Sequence, residues 1–173
     1  MTDQIDVPEA AAEETRLLPS DEILRGLIES FEDAVWAMSA GQDVVTLPAA
    51  EQLRTFAEAA LAAGFEMLAD VTAVDWLTRH PRFDVVVSVL SMQHRRRLRV
   101  IVQTDGDVPS LVPVWPGANY AEREVYDMFG IQFTDHPDLT RILMPDEWEG
   151  YPLRKDFAVG SVPVQFKASH KVS

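Results

Sequence analysis

The 173-residue chain contains no cysteine. That excludes disulfides, thiol nucleophiles and thiolate ligation of zinc or iron–sulfur clusters, and it fits a cytoplasmic setting. No apolar run approaches the roughly 18 residues of a membrane-spanning helix, and no amphipathic or lipid-anchor signal is present. Neither G-x-x-x-x-G-K nor G-x-G-x-x-G occurs to cradle a phosphate, and no G-x-S-x-G presents a serine nucleophile. The four histidines, His80, His94, His136 and His170, stand apart without ligand spacing, so they read as solvated or core residues rather than a metal site. Positive charge is scarce as well: 15 Lys and Arg face 28 Asp and Glu, for a net charge of −13. The imbalance lies in residues 1–79, where 4 basic residues meet 16 acidic ones. Nucleic-acid binding is disfavoured on that ground. The single basic cluster, "HRRRLR" at 94–99, reads as a solvated hairpin turn rather than a phosphate contact.

What is present describes one domain with a tail. Hydrophobic residues make up 47% of the chain, enough for a packed core. The acidic segment 1–17 has no apolar core of a secretory signal and is expected to be a disordered lead-in. In "PSDEILRGLIESF", Ile23, Leu24, Leu27, Ile28 and Phe31 share a helical face, with Ser20 the expected N-cap. "DVVTL" reads as a strand. Pro48 is expected to open a second helix, on which Leu53, Phe56, Ala57, Ala60 and Leu61 recur at helical spacing before Gly64 stops it. Residues 65–77 are strand-like but less regular, whereas 82–92 and 97–104 alternate clearly as strands joined by the basic turn. Asn119 and Glu122 have the spacing of a capping box for a third helix, which Gly130 ends. The expected fold is α+β over residues 18–134: a small mixed sheet of about four strands, half solvated, with about three helices.

From residue 135 to 173 the pattern changes. Pro137, Pro145, Gly150, Pro152, Gly160 and Pro163 break any long helix or strand, yet Trp, Tyr, Phe, Leu and Ile are frequent. Such a segment needs a surface to lie on, so it is expected to be an extended docking tail. Glu122, Glu124 and Asp127 on the third helix admit an acid/base or metal reading, but Glu122 and Glu124 are two apart and face different ways. The structural reading is stronger. Asp127 lies near the helix C-terminus, where the dipole disfavours an acid, and Arg123 precedes it by four in the less favourable order. A further cation is expected to pair Asp127, with Arg141 and Arg154 in the tail as the candidates.

The stretch "YAEREVYDMFGIQFTDHPDLTRILMPDEWEGYPLRKDF" (120–157) resembles the signature of the C subunit of the respiratory NADH:quinone oxidoreductase, complex I, the 30-kilodalton subunit family. The matching residues are Glu122-Arg123-Glu124, Asp127 with Phe129-Gly130-Ile131, His136-Pro137 with Leu139 and Arg141-Ile142-Leu143, and Trp148, Gly150 and Pro152-Leu153-Arg154-Lys155-Asp156. Two positions depart from it: Asp135 stands where the family commonly has glycine, and Phe157 where it commonly has tyrosine.

The resemblance implies a non-catalytic assembly subunit of the peripheral arm of a proton-translocating complex. That complex passes electrons from NADH through FMN and iron–sulfur clusters to quinone. No cofactor, metal or catalytic residue is implied for this subunit. Its implied partners are the complex's D subunit, chiefly, and its B and I subunits, on the cytoplasmic side of the cell membrane, with attachment only through the complex. Arg141, Trp148, Pro152, Leu153, Arg154, Lys155 and Asp156 are the implied docking residues, with Trp148 and Leu153 as apolar anchors and Arg154 and Lys155 pairing acids on the helix or a partner. Packing within the domain is the competing reading for each. Two other functions stay open: the equivalent subunit of a related membrane-bound [NiFe] hydrogenase or other quinone-reducing dehydrogenase, and a free-standing acid/base enzyme using the Glu122–Asp127 helix.

Overall fold

The computed structural model describes residues 17–158; most of the lead-in and residues 159–173 of the tail, including His170, lie outside it. In chain order the elements are α1 (Glu22–Glu29), β1 (Val35–Ser39), β2 (Gln42–Leu47), α2 (Gln52–Ala62), β3 (Met67–Asp75), β4 (Phe83–Ser91), β5 (Arg96–Thr104), β6 (Asp107–Pro109), α3 (Ala118–Phe129) and β7 (Gln132–Thr134). Five strands form one sheet in the order β1-β2-β5-β4-β3, antiparallel except where β2 runs parallel to β5. The short strands β6 and β7 pair in parallel as a second sheet. The class is the expected α+β with three helices, but there are more strands than about four. The exposed edge strand β1 has no buried alternation to reveal it, and three-residue strands are too short to show a period.

One sheet face forms the core. Phe83, Val85, Val87 and Val89 on β4 and Leu98, Val100 and Val102 on β5 are buried with Val45 and Leu47 of β2. Leu24 and Ile28 of α1 and Leu53, Phe56, Ala57 and Ala60 of α2 join the same cluster, as their helical spacing requires. The basic turn is shorter than expected: Arg96, Arg97 and Arg99 lie within β5, and only His94 and Arg95 of the cluster belong to the turn.

Three helix starts differ from expectation. Asp21, not Ser20, caps α1, its carboxylate accepting the Leu24 N–H at 3.0 Å. Pro48 precedes α2 by a full turn, because residues 49–53 first make a tighter turn closed by Gln52 N–H to Ala49 O and Leu53 N–H to Ala50 O. Helix α3 begins at Ala118 with no side-chain cap, and Glu122 turns into the core instead of back to Asn119. At the other end Gly130 adopts the left-handed conformation (φ 73°) that ends a helix without a Cβ penalty.

Candidate docking interface

Residues 135–158 form a strap that crosses the C-terminal end of α3 and the adjoining end of the sheet, held by three polar fastenings. The first is Asp127, fully buried on α3. Its Oδ1 accepts from Arg141 Nη1 at 2.9 Å, and its Oδ2 accepts the N–H groups of Ile142, Leu143 and Met144 at 3.1, 2.7 and 2.9 Å. Burial pushes the Asp127 carboxyl up, but these three N–H groups and the Arg141 charge outweigh it and hold the group below the usual carboxylate range. Of the two candidate cations, Arg141 is therefore the one that meets Asp127.

Arg154 makes the second fastening by a different chemistry. Its Nε donates to the Phe129 carbonyl, one of the acceptors a helix leaves unpaired at its end. Its guanidinium lies 4.5 Å from the Tyr151 ring centroid and 5.4 Å from that of Phe83. Leu153 N–H donates to Met128 O, the neighbouring carbonyl. Among the described residues neither Arg154 nor Lys155 pairs an acid through its side chain: Lys155 meets Asp75 through its backbone N–H, and its exposed side chain places Nζ 5.9 Å from the Trp76 ring centroid.

The third fastening joins Arg82 to two acids. It bridges buried Asp75 at the end of β3 and Asp156 of the strap, with Nη2 at 2.7 Å from one and 2.8 Å from the other. The Arg82 hydrogen bonds hold Asp75 far below the usual range despite its burial, helped by the N–H groups of Lys155 and Leu77, and the same arginine lowers Asp156. The sequence reading named Asp156 but missed Asp75, Arg82 and Tyr151. An isolated acid at a strand end and an arginine at the start of the next strand have no spacing that would link them to a tail about 75 residues away.

Trp148 and Leu153 have different placements. Trp148 is half-buried and stacks on Phe157 with centroids 6.3 Å apart, so it braces the strap internally, while its indole N–H is buried without a partner among the described residues. Leu153 is 54% exposed beside a small cleft lined with Asp70, Thr72, Glu124 and Met128. Exposed Trp76, Leu77 and Leu143 add apolar area on the strap and at the end of β3. Pro152 is half-buried beside Tyr151, and Arg123 is held by Thr140 rather than by Asp127. Glu124 is exposed.

Glu122 belongs to a separate buried cluster. It accepts from Ser110 Oγ at 2.7 Å and Leu111 N–H at 2.6 Å, and His136 Nε2 lies 3.9 Å away. Because His136 Nδ1 accepts the Asp138 N–H, the ring proton sits on Nε2, which donates to Asn119 O. Burial pushes the Glu122 carboxyl up to about 7 against the Ser110 and Leu111 hydrogen bonds and the nearby Arg54 charge. The group is fully enclosed, facing the joint between α3 and β6 rather than an open cleft. Arg54 ties the same corner together, donating to the carbonyls of Ser110 and Thr134 and to the Asp135 carboxylate. No set of three or more His, Asp or Glu placed to hold a metal ion occurs among the described residues.

The family described as the 30 Kd subunit of respiratory-chain NADH dehydrogenase matches residues 46–162. The C subunit of the NADH-quinone oxidoreductase of Saccharopolyspora erythraea is 52% identical over 109 residues, covering 61% of this chain and 44% of that protein. The chain spans about half the length of the curated relatives it matches. Among solved structures, a trypsin-resistant fragment (1-134) of Nqo5 superposes with a TM-score of 0.61 at 33% identity, covering 68% of this chain and 99% of the fragment. A chain of the membrane-bound sulfane sulfur reductase, an archaeal respiratory membrane complex, shares the fold: TM-score 0.69 at 24% identity, covering 79% of this chain and 84% of that one.

Proposed function

The chain belongs to the respiratory-chain NADH dehydrogenase 30 kDa subunit family, and from this we propose that it is a non-catalytic assembly subunit of a proton-translocating NADH:quinone oxidoreductase. In this reading FMN and iron–sulfur clusters reside in other subunits, and this one supplies a rigid docking surface in the peripheral arm. Its proposed partners are the complex's D subunit, chiefly, and its B and I subunits. The proposed location is the cytoplasmic side of the membrane, reached through those partners; no helix among the described residues is long and apolar enough to cross a bilayer.

The observation that carries the reading is the strap. The Arg141 and Arg154 side chains and the N–H groups of Ile142, Leu143, Met144, Leu153 and Lys155 turn inward onto Asp127, Asp75 and the α3 carbonyls, while the Leu143 and Leu153 side chains turn outward. A segment fastened in this way offers a pre-ordered apolar surface, so little conformational entropy is lost when a partner binds. Glu122 and Asp127 of α3 are enclosed and hydrogen-bonded, which speaks against the acid/base enzyme. A second reading is an equivalent subunit of a related membrane-bound [NiFe] hydrogenase or another quinone-reducing dehydrogenase. The fold is shared with a chain of an archaeal respiratory membrane complex, so the fold by itself does not separate the two readings.

Affinity purification of the tagged full chain from gently solubilised membranes tests both. Co-purifying NADH-oxidising and iron–sulfur subunits, lost with Leu153→Asp, are the expected result. Hydrogenase subunits in their place would favour the second reading. Recovery of the chain alone would overturn the assembly role.

A further inference from the structure

The five-stranded sheet has a second face, turned away from the core. Register sets Ile101 beside Val86 and Thr46 in one row, Arg99 beside Val44 and Ser88 in the next, and Arg97 beside Leu90 in a third. The buried apolar residues of all three helices belong to the core cluster, and the sheet residues of that cluster alternate with these. No described helix therefore covers β2, β5 and β4 on this side. Apolar side chains occupy its middle all the same. Val44 is buried, Val86, Leu90 and Ile101 are half-buried, and none of the four joins the core cluster. A sheet face left to water ordinarily carries polar residues in such places.

Unpaired positive charge stands beside them. On a chain of net charge −13, Arg54, Arg79, Arg82, Arg96 and Arg141 each pair an acid. Arg97 is exposed and has no partner among the described residues. Arg99 donates to the neutral Gln42 side chain at 3.1 Å and to no carboxylate among the described residues. Both arginines line one cleft with Ser88, Leu90 and Gln42. Asp70 shares the row of Ser88 and Arg99 but stands two strands away from the arginine. The cleft thus gathers cationic donors and apolar surface, the complement of a ligand that is acidic on one part and apolar on the next.

We propose that this face receives an amphipathic helix of another polypeptide, with two acids four residues apart over Arg97 and Arg99 and apolar residues one turn further on over Ile101 and Val86. The spacing matches. Arg97, Arg99 and Ile101 follow one another along β5 in steps of about 6.7 Å, and residues four apart on a helix lie about 6 Å apart. A helix laid along β5 also covers the apolar middle, as a sheet face in a layered fold requires. A second copy of this chain is a poor occupant, because two bodies of net charge −13 repel one another. The strap is a separate surface, fastened at Asp75 and Arg82 at the other end of β3 and β4, and the proposal does not rest on it.

Ala37 is exposed in the same row as Val44 and Arg99, at the rim of this face. A photo-reactive benzoylphenylalanine placed there in the tagged full chain, and irradiated in the cells that make it, tests the proposal. The expected product is an adduct with one segment of another polypeptide, which mass spectrometry of the joined peptides should show to carry two acids four apart beside apolar residues. Arg97→Glu with Arg99→Glu should lower the yield at least fivefold, with the urea midpoint of the purified chain unchanged. Arg97→Lys with Arg99→Lys should keep at least half of it. Irradiation of solubilised membranes in about 500 mM salt should lower the yield without any change of sequence. An adduct with a second copy of the chain, an adduct with a segment lacking the acid pair, a yield indifferent to salt and charge reversal, or no adduct would each overturn the proposal.

Discussion

Asp127 and Arg141 meet across the end of α3 with the carboxylate fully buried and the guanidinium 2.9 Å away, and the three N–H groups that follow Arg141 close on the same carboxylate. One acid therefore sets the path of four consecutive strap residues. Asp127→Asn keeps the shape but replaces an acceptor with a donor opposite donors. It should cost roughly 3 kcal/mol in urea unfolding at pH 7. Arg141→Met leaves the three N–H bonds in place and should cost less, about 2 kcal/mol. The folded Asp127 carboxyl lies below its unfolded value, so its contribution is present above about pH 4 and fades as pH falls through the folded value.

Glu122 works in the opposite direction. Its carboxyl is pushed up to about 7 by burial, well above the unfolded value. The folded state therefore holds the proton more tightly, and this contribution is complete below about pH 4.5 and is lost as pH rises to about 7. Stability of the full chain should decline by about 3 kcal/mol across that window from this group. Glu122→Gln should flatten the decline in urea titrations at pH 5 and pH 7.5.

Asp135 sits at φ 61° and pairs with Arg54 at 3.0 Å. Glycine would relieve the left-handed backbone but lose the ion pair, two effects of about 1 kcal/mol or less that oppose each other. Asp135→Gly should leave the melting midpoint within about 2 °C of the parent, a small shift on the usual scale. Asp135→Ala loses the pair and keeps the strain, so it should be the less stable of the two by about 1 kcal/mol.

Gly130 has two reasons to be glycine. Its φ is 73°, and an added Cβ would stand 2.5 Å from the Tyr151 ring and 2.7 Å from Arg154 Nη2. Gly130→Ala should displace the strap from α3 while the sheet persists. Trypsin cleavage after Arg154 and Lys155 should accelerate at least tenfold, with circular dichroism of the core little changed. Unaltered cleavage would show that the strap tolerates the intrusion.

The helices α1 and α2 and the strands β4 and β5 were legible because their apolar periods are regular and one face of each is buried. That Asp127 pairs a tail arginine was legible from the misplaced acid at a helix end; that it is Arg141 and not Arg154 was not, because both lie in the tail with no spacing to separate them. The capping box at Asn119 misled, since the pattern takes no account of tertiary demand: Glu122 is drawn inward by the Ser110 hydroxyl and Leu111 N–H. The Asp75–Arg82–Asp156 bridge had no local signature, because it joins residues that only the folded sheet brings together.

The parallel seam between β2 and β5 carries a kinetic consequence. β3, β4 and β5 follow one another as an antiparallel meander joined by the loop 76–82 and the turn 92–95, whereas Asp43 must find Leu98 across α2 and two intervening strands. Loop entropy must be overcome before such a distant pairing returns energy, so the meander forms the nucleus and the β1–β2 hairpin docks on it late. Val87 and Val45 are both buried, one on each side of that order. Stopped-flow measurements should find that Val87→Ala chiefly slows refolding and Val45→Ala chiefly speeds unfolding.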